Sequence, residues 1–198
     1  MSVLELCPEV EDLALWVGKQ NRSHLSLIQR LPLRCFSADL SDWSANDLQG
    51  PAFSNLTHLD VIELAESDDC ERWNIVTSLP KLTHLSLNCI VGLPVLRYLL
   101  SQCPHLCLLI MLELYGTDDT WAKSSQGYIT IDDPRLVLIN CYDQMNQVMG
   151  DWVENAHGRF GLWDFSERFV EARRRESSSK KCRLETALTY EYSSTLER

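Results

Sequence analysis

Positive charge is scarce in this sequence. Lys and Arg together number 18 against 28 Asp and Glu, a formal net charge of −10, and the pI is near 4.9. A chain this acidic sets up no broad positive field, so duplex nucleic acid and anionic membranes are excluded as default partners. Long apolar runs are missing too. The longest, around Leu106 to Leu114, is about half of the roughly 20 residues that a membrane-spanning helix needs. The first residues, MSVLELCPEVEDLALW, carry acids where a signal peptide has a basic segment, and no long apolar stretch follows them. Glycine-rich phosphate loops, a G-x-S-x-G elbow and an H-E-x-x-H helix are all absent. These absences point away from an enzyme and toward an intracellular protein, cytoplasmic or nuclear, that needs no cofactor.

Cysteine is plentiful but unpaired in pattern. The eight cysteines (Cys7, Cys35, Cys70, Cys89, Cys103, Cys107, Cys141 and Cys182) are scattered through apolar segments without the close spacing of a disulfide framework, which predicts reduced core thiols. Cys103-Pro104-His105-Leu106-Cys107 holds metal-ligand residue types, yet no second pair stands at useful spacing, so no metal site is expected. Sequons at Asn21 and Asn55 lack an accompanying export signal and are not read as glycosylation sites. With 45% hydrophobic residues, the chain has enough apolar material for one domain, or one stack of repeats with a tail.

One pattern recurs along the chain: an apolar residue, two others, a second apolar, one other, a third apolar. Its clearest copies are Leu56-Thr57-His58-Leu59-Asp60-Val61 and Leu82-Thr83-His84-Leu85-Ser86-Leu87. Weaker copies begin at Val10, Leu33, Leu106 and Leu136, which gives intervals of 23, 23, 26, 24 and 30 residues. The spacing is in or near the 20 to 29 residue period of leucine-rich repeats, whose strand pattern is L-x-x-L-x-L. Alternation along a strand puts Leu59 and Val61, or Leu85 and Leu87, in the core and their neighbours on the opposite face. Between strands, Leu93 to Leu100 spaces its apolar residues for a helical return. Prolines at Cys7-Pro8, Leu79-Pro80, Cys103-Pro104 and Asp133-Pro134 predict turns just before strands.

The copies are irregular. None has the buried Asn or Cys that the consensus places after the third apolar residue; Ile90 stands there in the fourth copy, with Asn88 and Cys89 early. The alternative is a chance alignment of leucines in an apolar helical protein.

The register assigns an outward face of Asp12, Ala14 and Trp16; Cys35, Ser37 and Asp39; His58, Asp60 and Ile62; His84, Ser86 and Asn88; Leu108, Ile110 and Leu112; and Leu138, Asn140 and Tyr142. From these the candidate partner-binding residues are Trp16, Asp39, His58, Asp60, His84, Asn88, Asn140 and Tyr142, on the concave side where solenoids bind partners. His58 and His84 should stand about 5 Å apart on neighbouring strands. With Asp60 they invite a metal or acid-base reading, against which stand the lack of a pocket and of a closed ligand set. Leu108, Ile110 and Leu112 form an apolar patch with two readings: the segment from Trp152 to Phe169 covers it, or a partner lands on it.

Beyond the last copy the pattern changes. Trp163, Ser166, Glu167, Phe169, Val170 and Arg173 suit an amphipathic helix with Trp163, Phe169 and Val170 on one side. The reading divides the chain into a leucine-rich-repeat-like solenoid at 5–143, a helical cap at 144–175 and a disordered polar tail at 176–198. Arg173-Arg174-Arg175 with Lys180, Lys181 and Arg183 reads as a helix C-terminus followed by a solvated tail, or as a bipartite nuclear signal.

The L-T-H-L strands, the Cys103-Pro104-His105-Leu106 junction, and the strand Asp133-Pro134-Arg135-Leu136-Val137-Leu138 followed by Asp151-Trp152 and Trp163, Phe169 and Arg173-Arg174-Arg175 carry a resemblance. Together they resemble the C-terminal leucine-rich-repeat region of fungal F-box proteins, over about residues 5 to 176. The resemblance implies an α/β solenoid, parallel strands on its concave side and helices on its convex side, that presents a protein substrate to a ubiquitin ligase. In that family an F-box precedes the repeats and docks on the Skp-type adaptor of a cullin-RING ligase. Here the first residues already read as a repeat, so the adaptor is a partner only if an F-box lies upstream. The start at Val3-Leu4-Glu5-Leu6-Cys7-Pro8 favours truncation over loss of the F-box, because a solenoid usually opens with a polar cap and a bare first strand is a sticky edge. The expected function is therefore protein binding, to a substrate the sequence does not name. The alternatives are an enzyme using the His58/His84 ladder and a truncated fragment without function.

Overall fold

In the computed structural model, residues 3–16, 22–64, 69–89, 91–113, 131–140, 150, 152–177 and 187–189 are described. The fold is α/β, with parallel strands joined by helical and 3-10 segments. It divides into two compact units, residues 1–109 and 110–198.

The first unit holds β1 (Asp12–Leu15), β2 (Cys35–Asp39), β3 (His58–Glu63), β4 (His84–Leu87) and the start of β5 (Leu108–Glu113). β1 to β4 lie side by side in chain order, all parallel, with Asp12, Cys35, His58 and His84 in one row across them. The predicted register is the observed one. From β2 to β5 each strand is entered by the same bond pattern, in which the N–H groups of its first residue and of the residue before it donate to one carbonyl, that of the residue just before the preceding strand. Arg34 and Cys35 use Glu11 O, Thr57 and His58 use Arg34 O, Thr83 and His84 use Thr57 O, and Cys107 and Leu108 use Thr83 O.

The connections explain why the strands sit in this order. Parallel neighbours require a crossover, and the described parts of these carry short helical segments. α1 (Val3–Leu6) precedes β1, and α2 (Leu25–Ile28) leads to β2. Two 3-10 turns, Asp47–Gln49 and Pro51–Phe53, precede β3. A 3-10 turn at Cys70–Trp73 runs into α3 (Asn74–Thr77) before β4, and α4 (Leu93–Gln102) precedes β5. α4 is the return expected from Leu93 to Leu100: Pro94 suits its first turn, and Val95, Leu96, Leu99 and Leu100 are buried. Pro8, Pro80 and Pro104 all lie in turns that lead into strands.

The core forms between the strands' inward residues and these returns. Phe36, Leu59, Val61, Leu85 and Leu87 are buried, as are Ile28, Leu56, Trp73, Val76, Val95 and Leu99. Phe36 packs against Trp43 and Phe53 with ring centroids 5.7 and 5.6 Å away. Tyr98 on α4 donates its hydroxyl proton to Asn74 Oδ1 on α3, tying successive returns together.

In the second unit, β6 (Leu136–Asn140) pairs in parallel with β7 (Ala187–Thr189). The polar tail was expected to be disordered from residue 176, and β7 is the part of it that the structure describes beyond Ser177. A helical stretch at 152–156 ends where Gly158, at φ 67°, lets Arg159 N–H reach Glu154 O at 2.9 Å. The predicted amphipathic helix is α5 (Leu162–Ser177), with Trp163, Ser166 and Val170 buried. Its Arg173 donates from Nη1 to the carbonyl of Leu136, at 2.7 Å. Asp132 and Asp133 lie close enough to support the guanidinium charge, while partial burial moves its pKa down. Within α5, Arg173 thus binds a strand carbonyl, and Arg175 pairs with Glu171 at 3.2 Å one turn back.

Among the described residues no helix is long and apolar enough to cross a membrane.

Candidate functional site

The site begins with the threonine and histidine of the L-T-H-L pattern. Thr57 Oγ1 donates to Arg34 O at 3.2 Å, and Thr83 Oγ1 donates to Thr57 O at 3.1 Å. A carbonyl can only accept, so each hydroxyl spends its one proton there. The ring nitrogens His58 Nδ1 and His84 Nδ1, at 2.9 and 2.8 Å from the same hydroxyls, then donate to them. Both rings are held in the same orientation as a result. Because the strands are in register at His58 and His84, the rings stack with centroids 4.2 Å apart and planes inclined by 8°. Burial, the second ring and Arg34 together hold His58 down to about 3, so the ring is neutral near pH 7.

The next outward row is Ala14, Ser37, Asp60 and Ser86. Trp16 Nε1–H donates to Ser37 Oγ at 2.6 Å, and Ser37 O–H donates to Asp60 Oδ2 at 2.6 Å. Asn88 Nδ2 donates to Asp60 Oδ1, also at 2.6 Å. Four strands are thereby laced on one face by side chains that alternate in sequence. Burial pushes the Asp60 carboxyl up to about 6, against the opposing pull of Ser37 and Ser86. Ser86 Oγ makes no hydrogen bond of ordinary geometry and is buried, and Asn88 Oδ1 is likewise buried without a partner.

The expectation of an open polar face is corrected here. Ser37, Asp39, Asp60, His84 and Ser86 are all buried. Short polar side chains on strands about 4.8 Å apart reach one another and close over the space between them. Asp39 is occupied with the turn after β2, its Oδ1 accepting from Ser41 N–H at 2.8 Å. Trp16, His58 and Asn88 remain half-buried. Among the described residues, they are the candidate contacts that keep access to solvent.

Leu108, Ile110 and Leu112 are 1%, 0% and 4% exposed, so they are covered and not an exposed landing patch. A strand apolar on both faces gains from burial on both. Asn140 lies at the end of β6, with its side chain outside the described residues, and Tyr142 falls outside them altogether.

Among the described residues no group of three or more His, Cys, Asp or Glu stands close enough to hold a metal ion. The nearest approach to such a set is the first row, where Asp12 and the neutral thiol of Cys35 follow the histidines. Cys35 is pushed above the ordinary thiol range by burial and by hydrogen bonding to Asp12. A neutral thiol and the neutral imidazole of His58 are weak nucleophiles and weak charge stabilisers. What the face offers chemically is shape and hydrogen bonding.

Sequence reading found the rows but not the bonds along them. Trp16 was assigned as a contact, and its role in orienting Ser37 emerges only from the distance between β1 and β2. No protein-family model matches the chain, and no curated protein and no solved structure matches it.

Proposed function

We propose that this chain is a protein-binding module of leucine-rich-repeat type, using the outward face of β1 to β4 to hold a partner. The observation that carries the reading is the repeated strand opening. At the entry to four successive strands, β2 to β5, two consecutive N–H groups donate to one carbonyl, in step with sequence intervals of 23 to 26 residues over most of the first unit. Such stacking produces a continuous face made from several copies of one unit, which suits an extended partner better than a small molecule. The laced interior of the face is rigid, and Trp16, His58 and Asn88 stand half-open on it. A rigid platform with an aromatic anchor binds at low entropic cost.

Its partner on this reading is a protein substrate of a ubiquitin ligase, delivered by an F-box receptor of which these residues are the substrate-holding part. The ligase step depends on an F-box outside the 198 residues. An in-frame F-box in the transcript upstream of Met1 would support it, and an upstream stop codon would remove it.

The binding face is tested by site-specific photo-crosslinking in cells. A crosslinker at Asn88 should trap a discrete partner, and one at Arg97 on α4 should not. Replacing Trp16, His58 and Asn88 together by alanine should abolish the trapped species. Capture that survives the triple change, or that is equally strong from Arg97, would show that the partner uses another surface.

A further inference from the structure

We propose that Asp60 is a proton-binding site built into the polar face, and that its protonation turns the Asn88 carboxamide over and loosens Ser37's hold on the Trp16 indole. With the carboxylate ionised, its oxygens accept from Ser37 O–H and from Asn88 Nδ2, each at 2.6 Å. The Asn88 carbonyl oxygen is left buried and unpaired, and Ser86 stands beside the carboxylate. A solvent proton added to Asp60 Oδ1 makes that oxygen a donor facing another donor, the Asn88 amide. A half-turn of the carboxamide replaces the clash with Asp60 O–H donating to Asn88 Oδ1, the acceptor that lacked a partner. One O–H bond forms, and no other covalent bond changes.

The relay to Trp16 runs through one atom. Ser37 Oγ accepts from Trp16 Nε1 and donates to Asp60, both at 2.6 Å. A hydroxyl that donates to a carboxylate is polarised and accepts more strongly; discharging the carboxylate removes that effect. Trp16 and Asn88 are half-buried, so the proton state of a buried group is communicated to side chains that reach solvent.

The groups that share the neighbourhood differ in behaviour. Cys35 on β2 and Cys89 after β4 are thiols raised by burial, Cys89 to about 12, and stay neutral throughout the range in which Asp60 titrates. His58 on β3 is held down to about 3 and is neutral above that. Among the described residues, Glu11, Asp12 and Arg34 act on Cys35, His84 and Arg34 on His58, and Glu63 on Cys89; Asp39 stands on β2.

The experiment is an NMR titration of the full chain from pH 4.5 to 8, following the Asn88 side-chain amide and the Trp16 indole N–H, the latter assigned with Trp16→Phe. Both signals should move together with one midpoint near pH 6, the value to which burial brings Asp60. Asp60→Asn, of equal size and without charge, should remove both transitions. Ser37→Ala should remove the Trp16 transition and keep the Asn88 one. If both signals are flat across the range, or if the transition persists in Asp60→Asn, the proposal fails.

Discussion

At the scale of single residues, Asp60 and His58 affect stability in opposite directions. Asp60 has a native pKa of about 6 against about 3.9 in an unfolded chain, so the native state binds the extra proton. Its contribution therefore falls as pH rises from about 4 to 6, by up to about 3 kcal/mol, and stays lost above that. His58 has a native pKa of about 3 against about 6.5 unfolded, so the unfolded chain binds the extra proton. Stability from that ring is present in full above about pH 6.5 and is lost as pH falls toward 3. The two slopes oppose each other between about pH 4 and 6. Urea unfolding of wild type and His58→Gln across this range should show a stability difference that grows steadily with pH as far as about 6.5. A difference independent of pH would mean that His58 titrates normally in the folded state.

Thr83 is the other residue whose role is local and measurable. Its hydroxyl donates to Thr57 O and receives the His84 ring. Thr83→Val keeps the shape and removes both bonds, and should cost about 1 to 2 kcal/mol in urea unfolding. The same substitution should also broaden the His84 ring signals in NMR, since the hydroxyl that orients Nδ1 is then gone. The L-T-H-L string was visible in the sequence as a repeat, but its chemistry was not. Hydrogen bonding from Thr to the previous copy, and from His to Thr, depends on a register that no single copy contains.

At the scale of elements, the parallel strands are held by inward aliphatic residues. Leu85 on β4 is fully buried between its neighbours. Leu85→Ala should lower stability by about 2 to 5 kcal/mol, the usual cost of emptying such a site. A loss under 1 kcal/mol in chemical denaturation would mean that the site collapses freely. β strands and α4 were legible because alternation and i, i+3, i+7 spacing are direct consequences of backbone geometry. The returns before β3 and β4 were less so. Trp43 supplies core from an irregular stretch, and Phe53 and Trp73 from 3-10 turns, which at three or four residues are too short to show a period.

α5 makes a similar case. Trp163 and Val170 marked its buried side in advance, whereas the destination of Arg173 was set only by the approach of β6. Arg173→Met keeps most of the aliphatic stem and removes the charged donor. Hydrogen exchange of the full chain should then speed up at the β6 amides, while β2 and β3 are unchanged. Equal acceleration throughout would indicate global destabilisation instead.

For the whole molecule, the charge of −10 acts on every encounter. Fluorescence anisotropy with a labelled DNA duplex at physiological salt should show no saturable binding at micromolar protein. Saturable binding would require a local positive surface that overrides the net charge. A protein partner is the reading that agrees with both this field and a face built from repeated strands.

Composition and periodicity by themselves determined the α/β class, the spacing of the strands, their register, and which residues stand together in rows. These follow from local rules, since a strand alternates sides whatever surrounds it. Tertiary structure alone decided which outward residues are buried. Asp60, Ser37 and Ser86 look like surface residues in the sequence, yet side chains from adjacent strands bond across the row and shut out water. Polar groups can be buried at small cost only when their partners arrive from other strands, and that arrival is a property of the assembled sheet.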